Sequence, residues 1–147
     1  MAGTSKNDFN ATELFNMMAG KEVGRGCYRT VYVFKPDPTL VLKVAEEDPR
    51  SNVIEHHIWT EVEYAEHLAK WFAPVVSISQ CGVYLLQKRV EVGRAQDYPE
   101  KIPAWFVDIK RENWGWLEDH WVCCDYGNAI LTPGLGKRLK KAEWGER

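Results

Sequence analysis

Between Gly20 and Phe72 the hydrophobic period of the chain changes once, and that change constrains the fold more than any other feature. Up to Ala45 the apolar residues read as strands. Gly24-Arg25-Gly26 interrupts the first, Thr30-Val31-Tyr32-Val33-Phe34 is β-branched and aromatic, Pro36-Asp37-Pro38 is a turn, and Leu40-Val41-Leu42-Lys43-Val44 is the third. From Asn52 onward Ile54, Ile58, Val62, Ala65, Leu68, Ala69 and Phe72 recur at three- and four-residue steps behind Ser51 as N-cap. That spacing predicts one long helix over 52–71, about 30 Å in length. Pro74 ends it, and Val75-Val76-Ser77-Ile78-Ser79 and Val83-Tyr84-Leu85-Leu86, split by Cys81-Gly82, predict a hairpin. The expectation is an α+β fold with a five-stranded sheet and one long helix. Residues 1–12 read as a loose arm, with a short helix opening at Thr12, and Trp114-Gly115-Trp116 with His120-Trp121-Val122-Cys123 as a second small hairpin.

The 147 residues fit one domain, which at this size buries roughly 68–70% of the surface of its unfolded chain. A composition 45% hydrophobic and 27% charged, with a formal charge of −2, is that of a soluble globular protein and not of a strongly basic nucleic-acid binder. No apolar run approaches the ~20 residues of a membrane span, and Met1 to Asp8 lacks the apolar stretch of a secretory signal, so a cytoplasmic location is expected. Cys27, Cys81, Cys123 and Cys124 form no C-x-x-C pair and read as reduced thiols, and the four histidines lack zinc-ligand spacing. The seven tryptophans read as packing.

Three stretches carry chemistry. Gly24-Arg25-Gly26-Cys27-Tyr28-Arg29-Thr30-Val31-Tyr32 is a glycine pair between strands, where backbone N–H groups without a Cβ in the way can approach phosphates; by itself it is also an ordinary hairpin. No G-K-[ST] follows, which excludes a Walker loop. Lys43 lies on an apolar strand 17 residues after Gly26, where a lysine either faces solvent or reaches a fixed anion. The helix offers it Glu55, Glu61, Glu63 and Glu66 as partners: Glu61 shares a stripe with Ile58 and Ala65, and Glu55 lies one turn before Trp59 and Val62. Finally, Asp108-Ile109-Lys110-Arg111-Glu112-Asn113 is followed by Asp125-Tyr126-Gly127. Phosphoryl transfer needs a carboxylate near the accepting hydroxyl, a cation near the transferring group and hard oxygen ligands for Mg²⁺, and Asp108, Lys110, Asn113 and Asp125 are such a set.

On these residues the chain resembles the protein-kinase-like superfamily over residues 20–130. Gly24 to Val31 is similar to the glycine-rich loop, Lys43 to the third-strand lysine, Asp108 to Asn113 to the catalytic loop and Asp125-Tyr126-Gly127 to the metal-binding D-F-G. It is most similar to short kinase-like proteins of phages and some bacteria, in which a helix opening N-x-x-E-x-x-x-W follows the lysine strand. Asn52-Val53-Ile54-Glu55-His56-His57-Ile58-Trp59 fits that pattern and favours Glu55 as the partner of Lys43, whereas the usual kinase spacing favours Glu61.

The resemblance implies a minimal protein-kinase-like fold, with an N-lobe at about 20–88, a strongly reduced C-lobe at about 89–130, an arm at 1–19 and a basic tail at 131–147. It implies ATP beneath Gly24, Gly26 and Val31, Mg²⁺ on Asn113 and Asp125, Asp108 orienting a hydroxyl acceptor and Lys110 stabilising transferred charge. Partners follow in kind: a host or cellular protein, as substrate or as the target of a catalytically weak, pseudokinase-like binder, with no membrane and no specific nucleic acid. There are departures. Arg29 stands in place of the third loop glycine, Phe106-Val107 in place of the His-Arg before the catalytic aspartate, and only twenty residues follow Gly127. Lys137-Arg138-Leu139-Lys140-Lys141 reads as a solvated face.

Overall fold

The computed structural model describes residues 6–92, 98–107, 109–127 and 136–144, with side chains from residue 10. Helix α1 (Lys6–Met18) leads into strands β1 (Ala19–Arg25), β2 (Thr30–Phe34) and β3 (Leu40–Val44), followed by helices α2 (Arg50–Val62) and α3 (Glu66–Ala69) and strands β4 (Val75–Ile78) and β5 (Tyr84–Lys88). The five strands form one antiparallel sheet in the order β1-β2-β3-β5-β4. Its centre is β3, buried at every position.

Alternation along β3 sorts its side chains onto two faces. Leu42 and Val44 join Ala19 in a core closed by Phe15 and Met18 of α1, where Phe15 meets Tyr32 edge-on at 5.5 Å. Val41 and Lys43 point the other way, with Val31 opposite Lys43 on β2. The helix α2 packs on β4 and β5.

The second half of the chain adds β6 (Lys101–Pro103), a single 3₁₀ turn (Arg111–Asn113), the hairpin β7 (Trp114–Leu117) and β8 (His120–Cys123), and β9 (Leu139–Lys141). These strands have three or four residues each and make only two-stranded sheets, which are marginal on their own. An aromatic core holds them. Phe72 stacks on Trp105 with ring centroids 5.6 Å apart and meets Tyr126 edge-on at 4.9 Å, and Trp114 packs against Phe106 and Trp144. The tryptophan count is thereby largely packing, as expected.

Three expectations need correction. The first helix opens at Lys6 and not at Thr12, so residues 6–12 are helical and not a loose arm. The long helix is two: after Val62 the backbone at Ala65 is extended (φ −106°, ψ 99°), and α3 starts on a new axis that sends Leu68 and Phe72 into the core while Tyr64 turns to solvent. The start of α2 is not capped by Ser51. Its N-cap residue is Pro49, and Asp48 Oδ1 accepts from the Arg50 N–H at 3.1 Å, while Ser51 is buried. The basic run is solvated as expected, with Lys137, Arg138, Leu139 and Lys141 exposed, and it is also tied down: Leu139–Lys141 pairs antiparallel with β6, Ala142 is buried, and the Trp144 indole N–H donates to Pro99 O at 2.8 Å. Lys141 stays exposed there, and Lys140 folds back to donate to Phe106 O. Among the described residues no helix is long and apolar enough to cross a membrane.

Candidate functional site

A lysine in the middle of a fully buried strand needs an anion, and Lys43 has one. Its ammonium donates to Glu55 Oε1 and to the Cys124 carbonyl, the latter at 2.5 Å. Glu55 has no solvent exposure at all. Its carboxylate also accepts from Arg29 Nη2 (2.5 Å), Gln87 Nε2 (3.0 Å) and the backbone N–H groups of Tyr126 (3.1 Å) and Gly127 (2.8 Å). Five donors, two of them cationic, replace the water that burial removes, which is the condition for a charge to persist in an interior.

Glu55 is thus the partner of Lys43, and Glu61 is not. Six residues along a helix of 3.6 residues per turn rotate a side chain by about 240°, which carries Glu61 off the face that Glu55 buries. It is two-thirds exposed and 3.9 Å from His57, and the stripe expected to hold it does not exist, since α2 stops before Ala65.

Arg29, which stands in place of a third loop glycine, has a defined position in the structure. The β1–β2 turn closes with the Gly26 N–H donating to Arg29 O at 2.9 Å, and the side chain runs inward, 8% exposed. Its guanidinium donates to Asn52 Oδ1 at 3.0 Å, to Glu55 and to Asp125 Oδ1 at 2.7 Å. Burial works against the Arg29 charge, but Glu55 and Asp125 outweigh it and hold the pKa above its ordinary value. Asn52 ties this knot to the sheet, its amide donating to the carbonyls of Lys43 (3.1 Å), Gly82 (3.0 Å) and Val83 (3.0 Å). Arg29, Asn52 and Gln87 were not expected as site residues. The signal for Asn52 was its place three residues before Glu55, on the same helix face.

Asp125 projects from the segment after β8, about half exposed. Partial burial pushes its carboxyl up, and the cations of Lys43, Arg29 and Lys110 outweigh that and hold it below the usual carboxylate value. The Asn113 carbonyl accepts from the N–H groups of Cys124 (2.7 Å) and Asp125 (3.3 Å), so the residues at 113 and 125 are brought together. Tyr126 is buried and donates to Ala73 O at 2.7 Å. Gly127 has to be glycine, since a Cβ there would lie 2.3 Å from Ser51 O and 3.1 Å from Glu55 Oε2. Cys123 and Cys124 are protonated: burial pushes the Cys123 thiol well up and the Cys124 thiol up to about 12.

Arg29, Lys43, Gln87, Cys124 and Asp125 line a cleft of about 1510 Å³, whose lining includes Gly26 but not Gly24 or Glu55. The β1–β2 turn lies along one side, Val23, Val31 and Val41 form an apolar wall, and Lys110, Asn113 and Trp116 face them from the second half. At Gly24 and Gly26 a Cβ would make only ordinary contacts, 3.6 Å to Val31 and 3.9 Å to Arg29 O, so the hairpin itself does not demand glycine at either position. Six basic and four acidic side chains line the cleft of a chain whose net charge is −2, a balance that suits an anionic ligand. Asp108 lies outside the described residues.

The residues do not fit a divalent cation held by Asn113 and Asp125. The Arg29 guanidinium already takes Oδ1 of the Asp125 carboxylate and places a fixed positive charge there, and among the described residues no three His, Cys, Asp or Glu side chains converge. Compared with models of known families and with curated proteins, the chain matches none.

Proposed function

We propose that the chain is a kinase-like nucleotide-binding protein, built on a minimal protein-kinase-like fold with a reduced second half, and that ATP lies in the cleft beside Gly24 and Gly26. The observation that carries this reading is the buried Lys43–Glu55 pair at the base of that cleft. A fixed ammonium below the β1–β2 turn suits a polyphosphate, and the Val31 and Val41 wall suits an apolar base. In its catalytic form the protein moves the terminal phosphoryl group to a hydroxyl of a cellular protein, with Asp108 orienting the acceptor and Lys110 stabilising charge. The free cysteines among the described residues support a cytoplasmic setting.

One observation favours a second reading, binding without transfer: Asp125 is bonded to Arg29. On that reading the nucleotide stiffens a pseudokinase-like module that engages a cellular protein.

Titration with ATP followed by tryptophan fluorescence tests the shared claim. The wild type should saturate and Lys43→Met should bind at least about tenfold more weakly; no saturable change at millimolar ATP contradicts both readings. Labelled ATP with a cell lysate then separates them. Transfer abolished by Asp108→Ala supports the catalytic form, and absence of transfer by a nucleotide-binding wild type supports the second.

A further inference from the structure

A polyphosphate site normally needs positive charge beyond one lysine, and here the chain has a second cation in place. Arg29 is delivered from the β1–β2 turn to the point where the Glu55 and Asp125 carboxylates converge. Three features make this a built position and not a passing surface contact. The guanidinium is almost wholly buried, it is bonded to three side chains, and two of these, Asn52 and Glu55, are themselves fully buried. A planar guanidinium that cannot lose its proton is suited to a permanent charge in such a place.

Resting on the reading of the cleft as a nucleotide site, we infer that Arg29 takes the place of a divalent metal ion, so that the cleft binds free nucleoside triphosphate without Mg²⁺. A metal ion at Asp125 would sit against the Arg29 charge, which is almost wholly buried. If the ion displaced it, Arg29 would keep one carboxylate, Glu55, already shared with Lys43, and the neutral Asn52 amide oxygen. The opposite order is favourable: Lys43 and Arg29 stand side by side on Glu55, and Lys110 lies close enough to act on Asp125. A triphosphate that keeps its full negative charge meets that row of cations better than one with two charges masked by Mg²⁺.

The test is calorimetric titration of the full chain with ATP in excess EDTA and in excess Mg²⁺. The inference expects affinity in EDTA equal to or tighter than in Mg²⁺, with any weakening in EDTA under about threefold. Binding in Mg²⁺ that falls by about tenfold or more in EDTA overturns the metal replacement and leaves the nucleotide reading standing. No binding in either buffer overturns the nucleotide reading itself, and this inference with it. Arg29→Gln, checked for native folding by circular dichroism, should turn the site metal-dependent, with ATP bound at least about tenfold more tightly in Mg²⁺ than in EDTA. A folded variant with no metal preference would show that Arg29 does not have this role. If the variant fails to fold, the two wild-type titrations decide alone.

Discussion

The two halves of the molecule are stabilised by different means. Residues 19–88 contain a continuous five-stranded sheet, one face of which closes on Ala19, Leu42 and Val44 while the other lines the cleft, and its costly element is polar: a buried carboxylate with two cations. The described residues between 98 and 144 have strands too short to sustain a sheet, and their stability comes from stacked and edge-on aromatic rings. The contrast indicates a division of labour. Backbone ladders fix the lysine strand, while aromatic side chains, each burying large area with few rotamers, make a small second half rigid enough to present Asp125. The halves join through backbone. Ala73 N–H donates to Cys123 O and Cys123 N–H to Trp71 O, and the N–H groups of Tyr126 and Gly127 reach Glu55.

The strongest way to break this division is to remove the ring that both halves share. Phe72→Ala should cost about 3–5 kcal/mol in denaturant unfolding and abolish the near-ultraviolet dichroism of the tryptophan cluster. A loss under about 1 kcal/mol would show that the aromatic core is not what holds the second half. Next, Gly127→Ala pushes a methyl group into the backbone of α2, 2.3 Å from Ser51 O, and should cost about 1–3 kcal/mol at the seam.

A smaller effect concerns pH. Asp125 has a folded-state pKa below its unfolded value, so its contribution is present above about pH 4 and is lost as pH falls through the folded value. The stability gap between wild type and Asp125→Asn, read by urea titration, should therefore close on acidification, and since Asp125 is half exposed the gap is modest. A gap constant from neutral pH to pH 3 would remove Arg29 and Lys43 as the cause. The smallest expected change in stability is for Gly26→Ala, within about 1 kcal/mol of wild type, because the turn leaves room for the methyl. ATP affinity should fall in the same variant, which sharpens the distinction between a glycine kept for folding and one kept for a ligand.

Much of the sheet could be read in advance, because β-branched runs and turns are local signals: β2, β3 and the β4–β5 hairpin lie where alternation placed them. Lys43 was legible from its apolar strand, but spacing left four glutamates open as its partner, and Glu55, 12 residues on, was favoured by the resemblance in N-x-x-E-x-x-x-W alone. Arg29 was not, since its meaning depends on Asp125, 96 residues away, and nothing in a loop arginine announces an inward side chain. The break before α3 was hidden because Ala65, Leu68 and Phe72 continue the helical spacing across it. Strand β9 was hidden because Leu-Lys-Lys lacks both alternation and β-branching, and only its pairing with β6 makes it a strand. The catalytic-loop expectation divides: Lys110 and Asn113 face the cleft, and Asp108 falls outside the described residues.

The central claim, that the Lys43 cleft is a nucleotide site, is tested most directly by amide chemical-shift mapping with ATP. The account predicts perturbations at Gly24 to Arg29, Val31, Lys43 and Cys124 to Asp125, with β6 and β9 unmoved. Unchanged spectra at millimolar ATP, with and without Mg²⁺, or shifts confined to the second half, would contradict it.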